Sequence, residues 1–245
     1  MKLLAIETST EACSVAVWID GRVLERFEIA PRRHTELVLP WAGELLAEAG
    51  ITKSELDAIA VGRGPGAFTG VRLAVALVQG MALALDKPVL PISTLAALAL
   101  PAAQARHDAS TAEESPPRIL AAIDARMGEL YLGLFRHDAK LSLLALGDEW
   151  MALPSDPQIK TDGPLIGVGS GFAADAQSLK TSLGAQLIEV DASALPHAAD
   201  IARLAALAFD RGEAIAADLL EPAYLRDKVA LTLLEQAASR RDRAL

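Results

Sequence analysis

Residues 3–10 read LLAIETST, and residues 119–126 read ILAAIDAR. Each is an apolar run closed by a carboxylate, Glu7 in the first and Asp124 in the second. The segments after these two runs are also alike. Cys13 to Ile19 alternates in polarity, turns at Asp20-Gly21 and continues as Arg22 to Ile29, the pattern of a β-hairpin. Leu130 to Phe135, His137-Asp138 and Leu141 to Leu146 repeat it. Superposing Glu7 on Asp124 puts Asp20 over His137 and Gly21 over Asp138 at one offset of 117 residues. A duplicated unit is the simplest explanation.

Each half then alternates helix and strand. In the first, Glu36 to Gly50 has helical periodicity, with Pro40 obscuring where the helix starts. Thr52 and Glu55 have capping-box spacing. Strand 58–61 enters a glycine-rich loop and an apolar helix over 71–85, and strand 89–92 and helix 94–100 close the half. In the second, strand 165–168 runs into a glycine turn, followed by a helix to Leu183, strand 186–190 and helix 196–211. Residues 107–117 are polar and aperiodic. The expected organisation is an N-terminal, partner-binding lobe over 1–106, an exposed connection over 107–117, a C-terminal lobe over 118–227 and a tail over 228–245 with helical potential. Both lobes are expected to hold mixed sheets, with ligands between them. This is the plan of the actin-like and Hsp70-like (ASKHA) α/β fold, built from two ribonuclease H-like halves. Such an analogy concerns architecture, not chemistry.

The loop GRGPGAFTGVR, residues 62–72, tests that chemistry. It satisfies G-x-G-x-x-A after a strand, but the dinucleotide fingerprint also needs an acid ending the next strand, and Asp86 precedes that strand. The Walker pattern fails because Val71-Arg72 stands where Lys and Ser or Thr are required. Two readings stay open. The glycines make a tight turn for a closely packed helix, or they and Arg72 admit a phosphate to the helix start. On the second reading Glu7, Thr8, Gly64, Gly66, Thr69, Gly70, Arg72, Asp124 and Arg126 face the cleft or a nucleotide. Neither acid is followed by the glycine that lets phosphate approach. In DARMGELY, residues 124–131, an internal Arg–Glu pair tying the hairpin to its strand competes with a cleft role.

Composition narrows the field. Aromatic residues make up 4% of the chain and apolar residues 52%, so the core must be Ala, Leu, Val and Ile in closely packed helices. A net charge of −9 repels a phosphate backbone, which predicts that any RNA is held mainly by a partner. The single cysteine, Cys13, excludes an internal disulfide and is expected to be a buried, inert thiol. His34, His107, His137 and His197 lie far apart, without metal-site spacing. Residues 71–85 fall short of the roughly 20 that a membrane span requires, which predicts a buried helix. The N-terminal apolar run is too short for a signal peptide, so a cytoplasmic protein is expected.

The segments LLAIETST, RRHTELVLP, GRGPGAFTGVR, IDARMGELY and EPAYLRD together resemble the TsaB family, also called YeaZ, over about residues 1–228. The resemblance implies an actin-like fold without catalytic residues or a metal of its own. It implies a scaffold for making threonylcarbamoyladenosine beside the tRNA anticodon. The implied partner is TsaD, a paralogue whose histidine pair holds a metal and which transfers the threonylcarbamoyl group made by TsaC. The resemblance further implies that TsaE, an ATPase, docks on the pair, that tRNA is reached through the complex, that ATP or ADP can bind in the assembled complex but not to the isolated chain, and that a homodimer can form in isolation. No membrane is involved. Candidate interface residues on the N-terminal helices are His34, Leu37, Val38, Trp41, Leu45, Leu46, Ala76 and Gly80, with an inward-facing stripe as the competing reading. A metal-dependent peptidase or glycopeptidase, and an ATPase or sugar kinase of the same fold, are the alternatives.

Overall fold

The computed structural model describes residues 1–109, 117–140 and 142–226. The chain forms β1 (Lys2–Glu7), β2 (Ala12–Ile19), β3 (Arg22–Ile29), α1 (His34–Glu48), a 3-10 turn at Lys53–Glu55, β4 (Ala58–Gly62), α2 (Phe68–Leu85), β5 (Val89–Ile92) and α3 (Thr94–Ala109). It continues with β6 (Arg118–Arg126), β7 (Glu129–Asp138), β8 (Ser142–Ala145), β9 (Trp150–Ala152), β10 (Leu165–Val168), α4 (Gly171–Ala174), α5 (Ala176–Leu183), β11 (Leu187–Asp191) and α6 (Ala198–Asp210).

The duplication is visible in the strand orders. The first sheet runs β3-β2-β1-β4-β5 and the second β8-β7-β6-β10-β11, with β9 paired to β7. In each, the first two pairings on the hairpin side are antiparallel and the next two parallel. Two equivalent α/β halves of this topology make the actin-like, ASKHA-type fold that the sequence pattern implied.

Burial explains how the layers stack. One face of the first sheet, with Leu4, Ile6, Val15, Val17, Ile59 and Val61, packs under Val38, Leu45 and Leu46 of α1 and Ala74 and Val78 of α2. The opposite face carries Leu3, Ala5, Ala16, Ala58 and Ala60 and meets Ala198, Ile201, Ala202 and Ala205 of α6. Alanines on both sides let helix and sheet approach closely, as the composition required. In the second sheet, Ile119, Ala121, Ile123 and Phe135 lie under Leu95, Leu98 and Ala99 of α3, and the other face is covered by Phe172, Leu179 and Leu183.

The cut drawn through the sequence at 107–117 is therefore not the cut in space. α3 belongs to the first half by sequence but packs on the second sheet, and α6 crosses the other way. α3 also runs past Pro101 to Ala109 instead of stopping at Leu100. Residues 107–109 of the expected connection are helical, while 110–116 and the tail from 227 lie outside the described residues. α2 is long and apolar enough by length and composition to cross a membrane; here it is the crossover between parallel strands β4 and β5. It is not the buried helix its composition suggested, because Phe68, Thr69, Ala76, Gly80, Leu83 and Ala84 are exposed.

Candidate functional site

The glycine loop leaves β4 directly beneath the end of β1. An added Cβ at Gly62 would meet Glu7 Oε2 at 1.8 Å, at Gly66 the Ser9 carbonyl oxygen at 2.5 Å, and at Gly70 the Thr8 carbonyl oxygen at 2.0 Å. Ala67 N–H donates to the Ser9 carbonyl (2.7 Å), and Thr8 Oγ1 donates to the Gly70 carbonyl (2.8 Å). The close backbone approach that glycine permits is thus used by the chain's own segment 7–9. Gly64, at φ +97°, turns the loop beside Val71. Of the two readings of this loop, its geometry favours the tight, packed turn.

Glu7 does not line an open cleft. It is buried, and its carboxylate accepts from Ser9 N–H (2.6 Å), from Ser9 Oγ and from Thr94 Oγ1 (3.0 Å). Burial pushes its carboxyl above the usual carboxylate range, against the downward pull of those hydrogen bonds. Thr8 is likewise buried, so Glu7 is spent on the junction of β1 with the start of α3 and Thr8 on its junction with the start of α2. Thr69 is exposed in the first turn of α2. Arg72 lies over the Phe68 ring at 3.2 Å and the Tyr224 ring at 4.7 Å, and donates to the Phe68 carbonyl at 3.3 Å.

Across the molecule, Asp124 accepts from Arg126 N–H (2.8 Å) and from its guanidinium (2.9 Å). The Arg–Glu pair expected in this hairpin exists with another arginine: Arg226 pairs with Glu129 at 2.7 Å. Nothing in DARMGELY itself announces a partner about a hundred residues away. Two surface concavities, of about 270 Å³ along β11 and about 460 Å³ between 155–160 and Ser182–Gln186, include none of the candidate residues. Among the described residues no three of His, Cys, Asp and Glu are grouped to hold a metal ion.

The interface candidates divide. Val38, Leu45 and Leu46 are buried, and Leu37 and Trp41 pack against the same core, so this stripe faces inward. His34 Nε2 lies 3.1 Å from the carbonyls of both Thr10 and Ala12, so that nitrogen carries the proton and pins the helix start. Ala76 and Gly80 are exposed as an interface requires. The outward face also has residues that periodicity passed over: Leu39 on α1, 50% exposed, Leu83 on α2, 67% exposed, and Gly43. Helical periodicity marks an apolar stripe but cannot see that α2 carries a second one.

The model of the family described as TsaD, tRNA N6-adenosine threonylcarbamoyltransferase, matches residues 27–233. Over 237 residues the chain is 39% identical to the tRNA threonylcarbamoyladenosine biosynthesis protein TsaB of Escherichia coli (strain K12), covering 94% of this chain and 96% of that protein. The chain belongs to the TsaB family. Its likeness to the TsaB protein of Haemophilus influenzae is 37% over 238 residues, covering 94% of this chain and 95% of that protein. The solved structure of YeaZ from Pseudomonas aeruginosa superposes with a TM-score of 0.81 at 42% identity, over 91% of this chain and 99% of that one. The family resemblance seen in the five sequence segments is thus upheld along nearly the whole chain.

Proposed function

We propose that the chain is a non-catalytic scaffold subunit for threonylcarbamoyladenosine modification of tRNA next to the anticodon, and that it binds and supports the catalytic subunit TsaD. The observation that carries this reading is the bare outer face of α1 and α2. An added Cβ at Gly43 or Gly80 would meet no atom within 4 Å. A mid-helix glycine costs about 0.5–1 kcal/mol relative to alanine, and nothing among the described residues offsets it; a partner helix in close approach would. A helix as apolar as α2 is ordinarily covered on all sides, yet among the described residues Leu83 is exposed and Phe68 is shielded only in part, by the Arg72 guanidinium over its ring.

The named relatives support the pathway, and the packed glycine loop supports the absence of turnover by this chain alone. On this reading TsaE and ATP or ADP engage the assembled complex, TsaC supplies the group transferred, tRNA is held through TsaD, and the same face forms a homodimer when TsaD is absent. The setting is the cytoplasm. Calorimetric titration of TsaD with Gly80→Leu and Leu83→Asp tests it. Both variants are expected to fold and to bind at least roughly tenfold more weakly, about 1.4 kcal/mol. Unchanged affinity in both would overturn the assignment of this face.

A further inference from the structure

After α6 the chain runs back across the molecule as a strap. Ile215 bridges Val89 in both directions, at 2.8 and 2.9 Å, at the edge of the first sheet. Ala217 and Leu220 are buried beside α2, and their carbonyls accept from Gln79 Nε2 at 3.3 and 3.0 Å. Ala223 N–H donates to the Arg63 carbonyl in the glycine loop at 2.8 Å, and Tyr224 lies under the Arg72 guanidinium. All these attachments are to the first half. Two residues later the strap reaches the second half through one side chain. Arg226 pairs with Glu129 at 2.7 Å and donates to the Ala125 carbonyl at 3.1 Å, the Arg126 carbonyl at 3.4 Å and Met127 Sδ at 3.1 Å.

We infer that this strap is a clamp that fixes the angle between the two lobes, with Arg226 as its fastening on the second lobe among the described residues. The guanidinium suits this role because its fixed fork serves a carboxylate and carbonyls at once. It is also shielded, with a side chain 15% exposed against 30% for Glu129, so the pair is less screened than a surface one. What it grips is a turn that needs holding: Arg126, Met127 and Gly128 have φ of 65°, 58° and 80°, a left-handed run containing two non-glycine residues. The lobes also meet where α3 lies against α6, with Leu204 of α6 packed against both the first-sheet and the second-sheet cores. The strap adds a second tie, from the glycine loop to the β6–β7 turn, and resists rotation of one lobe against the other about that joint. This inference does not depend on whether the chain binds TsaD.

Hydrogen–deuterium exchange and small-angle scattering on the full isolated chain test it, with Arg226→Gln, Arg226→Lys and Glu129→Gln. Removing a charged hydrogen-bonded group should speed local exchange by about ten- to a hundredfold. In Arg226→Gln the acceleration is expected at 124–130 and also at 62–67 and 221–226, with an increased radius of gyration and unchanged protection of β1. Glu129→Gln, which keeps the carbonyl contacts, and Arg226→Lys, which keeps the ion pair, should fall between this variant and the parent even if Arg226→Gln itself folds poorly. Acceleration confined to 124–130 in all three, with the radius of gyration unchanged, would overturn the clamp and leave Arg226 a local brace of the hairpin.

Discussion

Gly70 and Gly43 both sit inside helices and answer opposite demands. Gly70 has the Thr8 carbonyl where its Cβ would be, whereas Gly43 faces nothing within 4 Å. Gly70→Ala should therefore destabilise the isolated chain by about 1–3 kcal/mol through overpacking, and Gly43→Ala should stabilise it by roughly 0.5–1 kcal/mol. Urea unfolding midpoints that move in the same direction would contradict this. Cys13 is fully buried, and burial pushes its thiol up to about 12. Alkylation at neutral pH should be negligible in the native chain and rapid once urea unfolds it, as counted by mass spectrometry. The sequence pointed to the buried thiol and left the glycine loop open between a tight packed turn and a phosphate contact. It could not say what the loop pressed against, because Thr8 and Ser9 come within reach only after β1 and β4 pair.

At the scale of elements, local chemistry was legible and tertiary docking was not. The Asp20-Gly21 hairpin, the capping box of Thr52 and Glu55, and strand Val89–Ile92 follow from turn residues, spacing and alternation. The end expected for α3 at Leu100 did not come, since one face of that helix is secured on the second sheet and tertiary packing outweighs the hydrogen bond missing at Pro101. The N-terminus of α6 is a further case. Its first amides are satisfied from the other half: Ala198 N–H donates to Ser14 Oγ (2.9 Å) and Ala199 N–H to Glu25 (3.0 Å), while the His197 ring stacks on Phe27 and meets the Glu25 carboxylate at 3.1 Å.

The Glu25 hydrogen bond raises His197 above its ordinary pKa, against desolvation. Burial works to raise Glu25, but the His197 ring, the Ser14 hydroxyl and the Ala199 amide outweigh it and hold the carboxyl below its usual range. A raised histidine stabilises the fold at low pH and loses that contribution as pH rises through its folded pKa. A lowered carboxyl stabilises at high pH and loses its contribution as pH falls through its own. The pair therefore contributes most between the ordinary carboxylate and the ordinary histidine ranges, and its contribution falls away as pH rises from there through the raised pKa of His197, with Asp200 and Arg203 as the neighbouring charges. Unfolding midpoints across pH 5 to 9 should decline on the alkaline side, and His197→Gln should flatten that decline; an equal decline in the variant would contradict the assignment. The half-exposed ring keeps the effect modest.

For the whole molecule, the duplication seen in two octapeptides extends to strand order and sense in both sheets. The exchange of α3 and α6 between the sheets left no trace in the sequence, because each helix is equally apolar wherever it docks. That exchange makes the lobes interdependent and leaves α1 and α2 as an outer layer whose far side no described residue covers. On the proposed function this layer serves another subunit, and chemistry on tRNA is performed elsewhere. The decisive experiment is incorporation of labelled threonine into unmodified tRNA by purified TsaC, TsaD and TsaE, with the chain present, absent, or replaced by Gly80→Leu. Strong incorporation only with the parent chain, and none with the chain acting alone, is the expected outcome. Equal incorporation without the chain would refute the scaffold role.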